Sequence, residues 1–113
     1  MHEYSIVRAL IDRVEAEART HGATAIRRIQ VRIGELAGVE TELLLSSYRV
    51  FRERTLCDGA ELQVTRAEAL WTCPSCGEAI PRGEVLRCGR CDLPARLAGG
   101  DEILLERIEM EVP

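Results

Sequence analysis

The chain contains no lysine: its 15 basic residues are all arginine and face 19 acidic residues, for a net charge of −4. A polyanion-binding module is ordinarily basic, so this balance speaks against nucleic acid as the main partner. Aromatic residues make up only 4%, which leaves no stacking platform for bases. Long hydrophobic runs are missing as well, far short of the roughly 20 apolar residues that cross a bilayer. The opening Met1-His2-Glu3-Tyr4-Ser5 lacks the basic region and apolar stretch of a secretory signal. A cytoplasmic location with reduced cysteines is therefore expected.

What is present is a globular balance, 46% hydrophobic and 30% charged over 113 residues. That length is one domain, or one domain with a small appendage. Its core is small enough for a metal staple to matter. Ile6, Val7, Leu10, Ile11, Val14 and Ala18 recur at helical spacing between Ser5 and His21, and Gly22 follows as a stop signal. Ile29, Val31 and Ile33 alternate with Arg28, Gln30 and Arg32 as a half-buried strand ending at Gly34. Leu44, Leu45, Tyr48 and Phe51 mark a second helix over 40–54. After the Asp58-Gly59 turn, Ala60, Leu62 and Val64 predict a second strand. A last strand runs over 102–112, with Leu104, Ile108, Met110 and Val112 in one phase and Glu106 interrupting it as a bend or bulge.

Residues 71–98 differ in composition, with four cysteines, three of the four prolines and little periodicity. They read as a metal-organised lobe, too poor in apolar residues to fold by themselves. The predicted fold class is thus α+β, a small three-stranded sheet with two helices on one face. Residues 1–70 and 99–113 form that layer, and a zinc-ribbon-like lobe is inserted at 71–98.

Cys73-Pro-Ser-Cys76 and Cys88-Gly-Arg-Cys91 are two CxxC pairs. Each turn can aim two thiolates at one point, and together they complete a tetrahedron of four sulfurs that suits Zn(II) and leaves no open position. Gly77 and Gly89 fit the tight turns of such knuckles. A single iron in a rubredoxin-type electron carrier is the competing occupant. Arg82, Arg87, Arg90 and Arg96 against Glu78, Glu84 and Asp92 make the lobe nearly neutral. Cys57 reads as a small buried hydrophobe.

A histidine at a chain terminus is ordinarily solvated. Here the terminal amine, the His2 amide nitrogen and the His2 imidazole can close adjacent chelate rings around one cation. Such nitrogen-rich tetragonal geometry favours Ni(II) or Cu(II) over Zn(II). The bulk of His2 is expected to hinder removal of Met1, and Glu3 can add its backbone amide or carboxylate.

The opening Met1-His2-Glu3-Tyr4-Ser5-Ile6 resembles the HypA/HybF hydrogenase nickel incorporation proteins. The resemblance continues through the stretch from Val31 to Val39 (VRIGELAGV), through Asp58-Gly59-Ala60-Glu61-Leu62, both CxxC pairs, the run Gly100 to Leu104, and Ile108 to Val112. It implies a nickel metallochaperone and not an enzyme. His2 and Glu3 would bind Ni(II) transiently, and Cys73, Cys76, Cys88 and Cys91 would hold structural Zn(II). A HypB-type GTPase and the hydrogenase large subunit precursor are the implied partners. Urease maturation factors are a further destination in some members, and no nucleic acid or membrane insertion is involved. The second knuckle departs from the family where Gly89 replaces a common proline, which keeps the ligands. Glu40 sits where an acidic nickel contact would fall, but reads first as a helix N-terminal carboxylate. The alternative reading is a zinc-ribbon adaptor without nickel delivery.

Overall fold

A computed structural model describes residues 2–83 and 85–113. Met1, whose amine enters the expected nickel site, and Glu84, counted in the lobe's charge balance, lie outside the described residues.

Helix α1 (His2–Thr20) begins three residues earlier than the apolar pattern predicts. Its buried stripe, Glu3, Val7, Ile11, Val14 and Ala18, keeps helical spacing throughout. The helix closes as a Schellman motif: Ala23 N–H donates to Ala18 O at 2.9 Å and Gly22 N–H to Arg19 O at 3.1 Å, with Gly22 at φ +67°. Strand β1 (Ala25–Gly34) follows. Helix α2 (Thr41–Phe51) starts from Glu40, whose carboxylate caps it by accepting from Glu42 N–H at 3.2 Å. It ends three residues before the predicted limit because the chain turns at Arg52 and takes a left-handed φ of 64° at Arg54.

Strands β2 (Glu61–Ala67) and β6 (Ile103–Glu111) flank β1 in the order β2-β1-β6. β1 runs parallel to β2 and antiparallel to β6. The parallel pair requires a crossover, and α2 supplies it. Both helices cover the same face of this sheet, where Val7, Val14, Ile29, Ile33, Leu44 and Leu62 join one core. The opposite face is a polar ladder: Arg28 with Glu61 and Glu109, Gln30 with Gln63, and Arg32 with Glu106.

The bulge expected at Glu106 is present. Gln30 pairs with Arg107 and Val31 with Leu105, so Glu106 has no partner across the strand. One expectation is corrected there: the extra residue shifts the phase, putting Leu105 on the core side and leaving Leu104 at 45% exposure, while Val112, expected in the strand, lies past its end at 55%.

The lobe holds a second sheet that the sequence did not announce, built from β3 (Leu70–Thr72), β4 (Ala79–Ile80) and β5 (Arg96–Gly99) in the order β4-β3-β5. Strands of two to four residues are too short to display a period of two. The two sheets meet at the end of β1. Glu35 N–H donates to Ala67 O and Leu36 N–H to Gly100 O, both at 2.8 Å. The Glu35 carboxylate accepts from Ala69 N–H at 2.6 Å and pairs with Arg82 of the lobe. The Arg82 guanidinium and the Ala69 amide hold its carboxyl below the usual carboxylate range. The molecule is elongated, 56 × 29 × 16 Å with a radius of gyration of 18.0 Å, against about 13 Å for a single ball of this length. Among the described residues no helix is long and apolar enough to cross a membrane.

Candidate metal centres

Both knuckles are built by the same hydrogen-bond pattern. Gly77 N–H donates to Cys73 O and Asp92 N–H to Cys88 O, each at 2.9 Å. Cys73 N–H then donates to Glu78 O and Cys88 N–H to Leu93 O, again at 2.9 Å. The turns curl the chain so that both cysteines of a pair point inward. Amides aim at the sulfurs, Ser75 N–H at Cys73 Sγ and Cys91 N–H at Cys88 Sγ, each at 3.4 Å. The residue at the left-handed position is Gly77 (φ +75°) in the first knuckle and Asp92 (φ +54°) in the second. Gly89, expected to serve the second turn, instead occupies the place of Pro74.

The four Sγ atoms lie within 4.8 Å of one another, and Cys76 and Cys88 are 3.8 Å apart. A tetrahedron with Zn–S bonds of about 2.3 Å has edges of about 3.8 Å, so this donor set fits zinc. The amides of Cys76 and Ser75 lower the Cys73 thiol to about 6. Cys91, hydrogen-bonded to Cys73 and partly desolvated, is pushed up to about 12. One sulfur thus takes charge readily and makes the next ionisation harder, a conflict that a divalent cation between them resolves. Cys73 and Cys88 are buried, Cys91 half-buried and Cys76 exposed. Arg82, Arg87 and Arg90 face Glu35, Asp92 and Glu78, so these arginines offer no unneutralised strip for a polyanion.

The second candidate is the start of α1. His2 lies in the first helical turn with 57% of its side chain exposed. Glu3, by contrast, turns its carboxylate inward. Glu3 is 4% exposed, and its Oε2 accepts from the backbone N–H of Glu40 at 3.0 Å. Its other oxygen lies 3.7 Å from His2 Nδ1. The Glu40 N–H and Glu3's own backbone N–H lower the carboxyl below its ordinary value. The fold thus brings His2, Glu3 and Glu40 together, while the four cysteines gather as a separate cluster. Sequence reasoning missed the partners that seat this turn, Tyr4 against Phe51. For Glu3 a signal existed, since extending the buried stripe four residues back from Val7 lands on it.

The profile of the HypA family, described as hydrogenase/urease nickel incorporation, metallochaperone, matches residues 1–110. The chain is 39% identical to a hydrogenase maturation factor HypA of Wolinella succinogenes, over 98% of this chain and 96% of that one. It is 38% identical to the corresponding factor of Nitrosospira multiformis, over 97% of each. Its fold is similar to the solution structure of a Ni metallochaperone HypA from Helicobacter pylori, with a TM-score of 0.75, 29% identity and 98% of both chains covered. A solution structure of a HypA protein superposes with a TM-score of 0.84 at 29% identity, covering 100% of this chain and 98% of that one.

Proposed function

The chain belongs to the HypA family of hydrogenase and urease nickel-incorporation metallochaperones, and on this premise we propose that it carries Ni(II) as cargo on the first turn of α1. The ligands are the His2 imidazole and amide, the amine of Met1 and the backbone amide of Glu3. The observation that carries this reading is that His2 stands in the first helical turn with its side chain in solvent. The first four N–H groups of a helix have no intrahelical acceptor. A metal can therefore displace their protons without breaking a helical bond. Glu3 contributes through its backbone amide, whose N–H otherwise faces its own carboxylate, while that carboxylate also holds Glu40 N–H.

Cys73, Cys76, Cys88 and Cys91 would hold a zinc ion that cross-links the lobe and offers no open coordination position. The function is accordingly binding and hand-over, without catalysis, in the cytoplasm. The recipients are a HypB-type GTPase and the hydrogenase large subunit precursor, with urease maturation as a second outlet. Nitrogen ligation alone would also admit copper by the Irving–Williams order, so selectivity rests on geometry and on partner docking.

Nickel titration of tag-free protein with an intact Met1, beside His2→Ala, tests the reading, with zinc quantified in both. Wild type is expected to bind about one nickel and retain about one zinc, as a single closed four-sulfur site requires. His2→Ala is expected to lose the nickel and keep the zinc. Equal nickel binding by both proteins would overturn the N-terminal site and put the zinc-ribbon adaptor in its place.

A further inference from the structure

The ends of helices fray, and terminal turns are seldom fixed unless something ties them down. The first turn of α1 is tied at both ends of α2. Glu3 reaches the backbone N–H of Glu40, immediately before α2. Tyr4, the next residue, sets its ring edge-on against Phe51, the last residue of α2, with centroids 5.4 Å apart and planes at 79°. This is the favourable T-shaped arrangement of two aromatic quadrupoles.

The platform under Phe51 is itself fixed. Leu44 and Tyr48 of α2 are buried. The Tyr48 hydroxyl and Arg52 Nη1 both donate to Ala60 O at 2.9 Å, and the Arg52 guanidinium lies 5.7 Å from the Tyr48 ring centroid. Tyr4 remains 37% exposed, so its contact with Phe51 adds little to the core. Its place two residues after His2 in the same helical turn gives it a different use.

We propose that the Tyr4–Phe51 pair is a positioning device for nickel capture, fixing the rotation of the first turn so that the His2 imidazole and the adjacent amides are held ready to chelate. The inference rests on the N-terminal nickel reading and deepens it. A terminus that must be ordered on binding binds more weakly than one already ordered. Neither residue touches the metal; both act through the backbone that carries His2.

The test is nickel titration of the zinc-loaded full chain for wild type, Tyr4→Ala, Phe51→Ala, the double variant, Tyr4→Phe and His2→Ala. Circular dichroism and zinc content serve as controls. Tyr4→Ala and Phe51→Ala are each expected to weaken nickel binding about three- to tenfold, the range set by the strength of an aromatic pair. The double variant is expected to be no weaker than either single one, because each removes the same contact. Both single variants are also expected to shift the nickel d–d absorption, which a general loss of stability would leave in place. Tyr4→Phe keeps the ring and is expected to match wild type in affinity and spectrum. Should Tyr4→Ala lose helix, Phe51→Leu, which keeps apolar bulk without the ring, carries the comparison. Wild-type affinity in the ring-deleted variants, with His2→Ala unable to bind, would overturn the positioning role alone. Unaltered binding by His2→Ala would remove the nickel site and this inference with it.

Discussion

Gly77 and Asp92 occupy equivalent places in the two knuckles and meet the same left-handed backbone demand with different residues. A Cβ on Gly77 would meet nothing within 4 Å, so the cost of a side chain there is purely conformational. Gly77→Ala is expected to destabilise the zinc-loaded lobe by about 1 kcal/mol, measured as a lower midpoint in a thermal melt followed by Trp71 fluorescence. An unchanged midpoint would mean that the turn does not hold its left-handed residue. Asp is among the few residues that tolerate this conformation, and Asp92 also faces Arg87 at 3.1 Å. Proximity to cysteine marked Gly89 as the second turn residue in the sequence. Aligning the knuckles on their cysteines marks Asp92 instead, so that signal was available. Cys57 is fully buried, and burial together with the nearby Glu15 pushes its thiol up to about 11. It serves as core volume, in keeping with its reading as a small hydrophobe.

Among the elements, β6 shows best how one residue redirects a strand. Its apolar residues follow one alternation only if Glu106 is skipped, and the bulge there does this physically, with Arg32 holding the Glu106 carboxylate at 2.9 Å on the outer face. Leu105 therefore packs on the core beside Ile108 while Leu104 stays exposed. Leu104→Ser is expected to change stability by less than about 0.5 kcal/mol, and Leu105→Ser to cost about 1 to 2 kcal/mol. Urea unfolding of the two variants checks the phase, and the reverse order would place the bulge elsewhere. Both helices and the strands β1, β2 and β6 were legible in outline because each spans enough residues to show its period. The start of α1 lay off the apolar pattern, because the stripe continues there through Glu3, a charged residue whose satisfaction by Glu40 N–H is a tertiary contact.

At the scale of the whole molecule, the core is divided. The helix-covered sheet has its own apolar cluster, whereas the lobe buries Cys73, Ile80 and Cys88 with Trp71, Cys91 and Ala95 partly packed against them. Two of the candidate ligands thus stand among the three residues that form the lobe's buried cluster among the described residues, and without a cation the lobe would lack the apolar area to hold itself together. Removal of zinc by a chelator is expected to change the fluorescence of the single tryptophan, Trp71, which sits in the lobe. The far-ultraviolet helical signal from α1 and α2 is expected to persist. Simultaneous loss of both signals would show one cooperative unit. The join between the sheets leaves little room: a Cβ on Gly34 would lie 2.1 Å from Gly100 O. That close approach, with the Glu35–Arg82 pair, sets how the lobe is carried on the end of β1.

The helical and strand periods, the pairing of the two CxxC turns and the bulge at Glu106 were written in the order of residues along the chain. Each of these is a short-range property, fixed by residue type and spacing along the chain. Tertiary structure alone decided the rest: Leu105 and not Leu104 on the core, a second sheet of very short strands, Glu3 turned inward to Glu40, and Tyr4 seated on Phe51. These depend on groups far apart in sequence, up to 47 residues in the pairs Glu3–Glu40, Tyr4–Phe51 and Glu35–Arg82. Local periodicity carries no information about which distant backbone amide or ring a side chain will meet once the layers close.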